Sequence, residues 1–151
     1  MKLYNIKEKQ EYIKEVAELT KKEWSEYKNI EELNNKIEKC IKKIKENLDN
    51  PYYCKLVLID NNELVGFISL FETDGEERKD LKPWYATMYV KENYRGKGYS
   101  KILNNAILEE AKKRGFKKIY LKSDLNNYYE KFGAKYIENL KNGEKLYYIE
   151  L

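Results

Sequence analysis

Six consecutive residues combine the groups that bind a phosphate. They read Arg95-Gly96-Lys97-Gly98-Tyr99-Ser100. Glycine lets a backbone approach a ligand closely, and the first turn of a helix has free N–H groups and a dipole that favours an anion. Arg95 and Lys97 add positive charge at the same point. We therefore expect a phosphate-binding turn here, although a tight connection with solvated cations would use the same residues.

The flanking segments predict the elements that hold this turn. Trp84 to Val90 is rich in aromatic and β-branched residues, which favours a buried strand. The run up to Arg114 carries apolar side chains at helical spacing, namely Ile102, Leu103, Ala106, Ile107 and Ala111. The turn is not a P-loop, whose spacing between glycine and lysine is missing, and it lacks the third glycine of a dinucleotide-binding fingerprint.

In this context the segment resembles the cofactor signature of the GNAT superfamily of acetyl-CoA-dependent N-acetyltransferases. That signature is Arg/Gln-x-x-Gly-x-Gly/Ala after a strand ending in Val, and here Ser100 takes the last position. A second landmark, Tyr-Glu-Lys-x-Gly-Phe, is matched by Tyr129-Glu130-Lys131-Phe132-Gly133-Ala134, with Ala134 replacing the aromatic residue. The resemblance runs from about Val57 to the C-terminus and looks like a small, uncharacterised bacterial branch.

The resemblance implies an α/β fold of the GNAT type, with a central, mixed, mostly antiparallel twisted sheet of about six to seven strands and about four flanking helices. It implies that acetyl-CoA is a co-substrate and that its pantetheine arm pairs with the backbone of Met88, Tyr89 and Val90. Its pyrophosphate would bind to residues 95–100, and Asn127 would also contact the cofactor. No metal is implied.

The implied reaction is direct transfer of an acetyl group to a primary amine. The N–H of Met88 or Tyr89 would polarise the thioester carbonyl, and Tyr129 would protonate the departing thiolate. A phenol with a pKa near 10 stays protonated at neutral pH, which suits that role. A shift of one residue would give the role to Tyr128, and Tyr129 is also one of 15 tyrosines that could simply fill space.

The general base is harder to assign because the chain contains no histidine. An alkyl amine with a pKa of about 10.4 must lose a proton before it attacks, which costs roughly 4–5 kcal/mol at pH 7. Glu72, Asp80 and a water held near Tyr85 are the candidates. We take a water chain leading to Glu72 as the hypothesis.

Composition limits the other possibilities. At 151 residues, the chain fits one domain spanning residues 1–151. Its 30 Lys and Arg residues against 26 Asp and Glu residues give a net charge of +4, and the two signs alternate along the chain. We therefore expect no nucleic-acid partner, which would need cations gathered on one face. No signal peptide or membrane-spanning run is evident, so we expect a cytoplasmic protein. We expect Cys40 and Cys54 to be unpaired thiols in or near the core. The protein would be a monomer or a homodimer.

Periodicity predicts the remaining elements. The predicted strands are residues 3–6, 53–59, 63–71 and 118–121, and the predicted helices are residues 8–26, 30–48 and 125–131. Asp124 would cap the last helix, and Asn142-Gly143 would turn a hairpin between residues 135–140 and 144–151. Gly66 indicates a bulge or a close approach. The acidic loop 72–80 is either a solvated turn or an attractor of a cationic amine.

The acceptor stays open among aminoglycosides, polyamines, amino acids and protein N-termini, since a fold does not name its substrate. The two helices within residues 8–48 would flank the acceptor pocket in a GNAT protein. A module that binds acetyl-CoA without catalysis is the alternative function, and it would need the phosphate turn but not Tyr129. An RNA-binding domain is a second alternative and would show steeply salt-dependent binding.

Overall fold

The computed structural model describes residues 1–151 and contains seven strands and three α-helices. The strands are β1 (Lys2–Asn5), β2 (Cys54–Asp60), β3 (Glu63–Phe71), β4 (Trp84–Val90), β5 (Lys118–Ser123), β6 (Lys135–Asn139) and β7 (Lys145–Glu150). The helices are α1 (Ile13–Trp24), α2 (Ile30–Glu46) and α3 (Tyr99–Lys113). Four short 3-10 turns lie between these elements.

One sheet contains all seven strands, in the order β1-β2-β3-β4-β5-β7-β6. Every neighbouring pair is antiparallel except β4 and β5, which are parallel and are connected through α3. A parallel pair needs such a crossover. The predicted mixed, mostly antiparallel sheet is therefore confirmed, while the number of α-helices is three and not four.

The two faces of the sheet carry separate cores. α3 covers one face with Leu103, Ile107 and Ala111, which pack against alternate residues of the central strands. α1 and α2 cover the other face, where Ile13, Val16, Ala17, Leu33, Ile37 and Ile44 are buried. Spacings of three and four residues place these side chains on one side of each helix. The central strands are thus buried on both faces, which explains their nearly continuous apolar sequence.

Two predicted helices differ from the structure. No helix spans residues 125–131, because Asn127 adopts a left-handed φ of 58° and only Tyr129–Phe132 forms a short 3-10 turn. Asp124 is consequently not a helix cap, and Ser123 instead accepts the N–H of Leu125. α1 begins at Ile13, later than predicted, because two 3-10 turns precede it.

Other local predictions are confirmed. A Cβ atom at Gly66 would lie 2.5 Å from the backbone oxygen of Tyr89, so only glycine fits there, and the register between β2 and β3 shifts beside it. Asn142 and Gly143 connect β6 to β7. Cys54 is buried and Cys40 is half-buried, both as free thiols. None of the helices combines the length and apolarity that a membrane span requires.

One charged side chain lies inside the core beneath α1 and α2. Lys55 on β2 is 2% exposed, and its Nζ donates to Ser69 Oγ at 2.7 Å. The rings of Tyr53, Phe67 and Phe71 surround the ammonium, whose distance to the Phe71 centroid is 4.9 Å. No carboxylate lies within ion-pair distance. Burial, the largest effect, lowers the pKa of Lys55 to about 8.

We expect Lys55→Met to raise the free energy of unfolding by about 2–3 kcal/mol below pH 8, because it removes a desolvated charge. Between about pH 8 and about pH 10.5 the unfolded chain binds more protons at this lysine than the folded one does. The stability of the wild type should therefore rise through this window, and the advantage of the variant should disappear above it. Urea denaturation at several pH values measures the difference.

Lys45→Met is the matched control, since Lys45 lies on α2 and is exposed. It should change the free energy of unfolding by less than about 0.5 kcal/mol at every pH. A Lys55→Met variant less stable than the wild type at pH 7 would show that the buried ammonium stabilises the fold.

Candidate active site

The parallel strands β4 and β5 separate after a single paired position. Trp84 and Tyr120 are the only register partners, and the N–H of Tyr120 bonds to the carbonyl of Pro83. Trp84 is fully buried and packs with Leu140 and Leu146 at this closed end. Beyond it the strands enclose a gap of about 630 Å³. The gap is lined by residues of both strands and by Trp24, Asp74, Asp124, Leu125, Tyr129 and Glu144.

A bulge in β4 controls which side chains face the gap. Ser69 of β3 pairs with Ala86 and Phe67 pairs with Tyr89, so Thr87 and Met88 both lie opposite one residue and have no register partner. Thr87 has a φ of 47°, which is unusual for a β-branched residue. Its hydroxyl donates to Ser69 Oγ at 2.5 Å, which helps to hold this conformation. Met88 thus lies in the bulge and lines the gap.

The predicted phosphate turn lies at the open end of β4. Gly96 and Gly98 have φ values of 78° and 84°, and a Cβ atom at either position would meet nothing within 4 Å. The turn is therefore open to solvent, and its glycines are needed for conformation. Gly98 precedes the first residue of α3, whose first turn contains no acidic side chain and no side-chain cap. Its N–H groups are left free for an anion.

Arg95 fixes the turn to the strand. Its Nε donates to the carbonyl of Val90 at 2.7 Å, and its guanidinium lies 5.5 Å from the ring centroid of Tyr89. A cavity of about 410 Å³ connects this turn with the end of β4. It is lined by Glu23, Met88, Tyr89, Val90, Tyr94, Arg95, Gly96, Gly98, Tyr99 and Ser100. Lys97 stays exposed beside Tyr94. Met88 lines both this cavity and the gap, so the two are neighbours along β4.

Tyr129 lines the gap and Tyr128 does not. The Tyr129 ring packs edge-on against Tyr85, with centroids 5.9 Å apart, and against Tyr128, at 4.8 Å. Burial, with a smaller effect from Tyr128, raises the pKa of Tyr129 to about 12. The phenol therefore stays protonated over the whole range in which an amine substrate would be handled.

The carboxylates predicted as bases do not line the gap. Glu72 is paired with Lys82 at 3.2 Å and its side chain is 48% exposed, while Asp80 is paired with Arg78. Asp74, which sequence reasoning passed over, does line it. Burial raises the pKa of Asp74, against the lowering effect of Lys122. Asp74 differs from the other acids of this loop in lining the gap, a tertiary feature for which the sequence carried no signal.

Two asparagines differ in their position relative to the phosphate turn. Asn127 is exposed and lies in a separate surface depression with Glu130 and Tyr136, apart from the phosphate turn. Asn104 is fully buried on α3, and neither polar atom of its amide has a hydrogen-bond partner. It follows Ser100 by one helical turn and so lies on the same side of α3. The sequence marked it only as a polar interruption of an apolar face.

No group of three or more His, Cys, Asp or Glu side chains is arranged to hold a metal ion. The open turn, the free N–H groups of α3 and Arg95 together fit a diphosphate, and the unpaired amide of Asn104 adds an unused polar group beneath them. The gap fits an extended arm with its reactive end near Met88 and Tyr129.

Comparison with known proteins gives a family match over most of the chain. Residues 13–134 match the model described as the Acetyltransferase (GNAT) family. The spermine/spermidine N(1)-acetyltransferase of Bacillus subtilis strain 168 is 33% identical over 109 residues, covering 66% of this chain and 72% of that protein.

Solved structures show the same fold. An aminoglycoside 6'-N-acetyltransferase complexed with coenzyme A has a TM-score of 0.72 at 18% identity, covering 99% of this chain and 97% of the other. The PaiA N-acetyltransferase of Thermoplasma acidophilum, in complex with coenzyme A, has a TM-score of 0.66 at 22% identity and covers 100% of both chains.

Proposed function

Because this chain belongs to the acetyltransferase (GNAT) family, we propose that it transfers the acetyl group of acetyl-CoA to a primary amine. The observation that carries the proposal is the gap between β4 and β5, with a phosphate-binding turn at its open end and Tyr129 on its wall. The relatives named above are N-acetyltransferases, and both solved structures contain coenzyme A. Both facts support this reaction and this co-substrate.

In this proposal the pyrophosphate of acetyl-CoA binds to the turn at residues 95–100, through its N–H groups and Arg95. The pantetheine arm runs along Val90, Tyr89 and Met88, whose backbone groups on the side of β5 have no strand to pair with. Met88 is the better donor to the thioester oxygen, since Tyr89 pairs with Phe67 across the sheet and Met88 has no register partner. Asn127 stays a sequence prediction, because its position offers no contact with this path.

The chemistry then needs two proton movements. The amine nitrogen forms a bond to the acetyl carbon while the carbon–sulfur bond breaks, and the thiolate takes a proton from Tyr129. The proton lost by the amine passes to a carboxylate through water. Asp74 suits this role better than Glu72, because it lines the gap and has a raised pKa, whereas Glu72 is bound to Lys82 outside it.

Calorimetric titration with coenzyme A, followed by a screen of amines for release of free thiol from acetyl-CoA, tests the function. Binding together with release in the presence of an amine supports the transferase. Binding with no release for any amine would favour the non-catalytic sensing module, and absence of binding would exclude both. Steeply salt-dependent binding to RNA would instead revive the nucleic-acid alternative.

Arg95→Glu should weaken coenzyme A binding about 10- to 30-fold, because it removes a cation from the diphosphate site and releases the turn from Val90. Calorimetry measures the dissociation constant. Lys113→Glu makes the same charge change at the far end of α3, about 20 Å away, and should change it less than twofold. Equal losses in the two variants would mean that only net charge matters.

Tyr129→Phe should lower kcat about 100-fold with little change in KM, because it removes the proton donor and keeps the aromatic contacts with Tyr85 and Tyr128. Tyr128→Phe is the matched control and should stay within about threefold of the wild type. Steady-state kinetics with the best amine from the screen measures both. The reverse order of effects would transfer the role to Tyr128.

Asp74→Asn should lower kcat about 10- to 100-fold and remove the acid limb of the pH–rate profile. That limb should lie above the ordinary pKa of an aspartate, since burial raises the pKa of Asp74. Glu72→Gln should leave both kcat and the profile nearly unchanged. Loss of the acid limb in Glu72→Gln alone would restore Glu72 as the base.

A further inference from the structure

A further cavity, of about 520 Å³, lies between α1, α2 and the sheet, and we call it the lysine pocket. It is lined by Thr20, Lys21, Trp24, Ser25, Lys36, Lys39, Cys40, Lys43, Tyr53, Lys55, Phe71 and Thr87. Five of these residues are lysines and none is an aspartate or a glutamate. Among the five, only Lys36 has an acidic partner within ion-pair distance, Glu32 at 3.8 Å. The pocket is therefore strongly positive.

Lys55 gives this pocket a built centre. An ammonium carries three N–H donors, and Lys55 makes one hydrogen bond, to the neutral hydroxyl of Ser69. Two donors of a side chain that is 2% exposed are thus left without a hydrogen-bond acceptor from the protein. Lys43 approaches the ring of Phe71, which Lys55 also contacts, so a second cation lies close by. An anion bound between them would satisfy these donors and relieve the repulsion.

The lysine pocket lies next to the gap between β4 and β5. Thr87 and Trp24 line both cavities. Thr87 bonds to Ser69 and Ser69 bonds to Lys55, so two short hydrogen bonds, of 2.5 and 2.7 Å, separate the bulge from the buried ammonium. A ligand bound at Lys55 therefore lies next to the position at which the acetyl group would be transferred.

We propose that the acceptor is an amine that also carries a carboxylate or a phosphate a few bonds from its nitrogen, and that Lys55, Lys43 and Lys39 bind this anionic group. The inference rests on the proposed function and names its substrate class. The pocket lacks the carboxylates that a polyamine would require, because every charge of a polyamine is positive. In this arrangement the amine of the acceptor lies on the Asp74 side of Thr87, and its anion lies on the Lys55 side.

Binding can be measured without acetyl transfer, which separates this inference from the proposed function. O-phosphoethanolamine and L-leucine are titrated calorimetrically into the wild type in the absence of acetyl-CoA. Ethanolamine, L-leucinamide and spermine, which lack an anionic group, are the control ligands. We expect at least one anion-bearing amine to bind, at least 10-fold more tightly than its neutral or cationic counterpart. Failure of both, or tighter binding of spermine, would overturn the inference.

Lys55→Met should weaken that binding at least 10-fold, and Lys43→Met should weaken it severalfold. Lys45→Met, on α2 but outside the pocket, should leave it unchanged. Loss through misfolding is excluded by the thermal unfolding midpoint, which should rise in Lys55→Met. Unchanged binding in Lys55→Met would overturn the assignment of this residue.

The transfer assay completes the test. With acetyl-CoA present, the preference for the anion-bearing amine should appear in KM, and Lys55→Met should abolish it while kcat changes little. If no thiol is released although the anion-bearing amine binds, the transferase proposal fails and the anion site stands. If neutral amines are acetylated as efficiently as their anionic counterparts, the transferase stands and the substrate class fails.

Discussion

The candidate site depends on the hydrogen bonds that β4 and β5 do not make to each other. β4 is held by β3 and β5 is held by β7, but the two are joined only at Trp84 and Tyr120. Because each strand has a partner on its other side, the separation needs no flexible segment, and the buried Trp84 holds its closed end. Backbone groups facing this gap have no strand to bond, and buried backbone groups without partners are costly. An extended ligand can replace the missing strand, so the fold creates a binding site by leaving its sheet incomplete.

The bulge at Thr87 connects this gap to the opposite face of the sheet. Without an extra residue, strict alternation would place Tyr85 and Tyr89 on one face together. In the structure Tyr85 packs beneath α3, whereas Tyr89 packs towards α1 and α2. The change of face occurs at Thr87, whose side chain bonds to Ser69. A residue with a strained φ thus lies between the gap and the lysine pocket. Strained residues of this kind often occur at functional sites.

The sequence was a good guide where local chemistry decides structure and a poor one where burial does. Gly96 and Gly98 predicted the turn because glycine adopts a positive φ more readily than other residues. The order of the apolar segments predicted the sheet. The helix expected after Asp124 failed because Asn127 turns the chain in a conformation that apolar periodicity does not register. Asp74 and Lys55 were missed for a related reason. A pattern of residue types marks both as ordinary surface charges, and only tertiary contacts bury Lys55 and partly cover Asp74.

The charges around the two cavities are segregated in a way that orients an acceptor. Asp74, Asp124 and Glu144 line the gap together with one lysine, Lys122, while the lysine pocket has no carboxylate. A molecule with an amine at one end and an anion at the other binds favourably in only one orientation. Its amine then lies in the gap and its anion lies in the lysine pocket, on the other side of Thr87. A polycation gains electrostatic attraction from the carboxylates of the gap, but it cannot enter the lysine pocket. Lys55 then stays desolvated and without an anion. Like charges at close range cost several kcal/mol in a poorly hydrated site, so this arrangement selects by repulsion as well as by attraction.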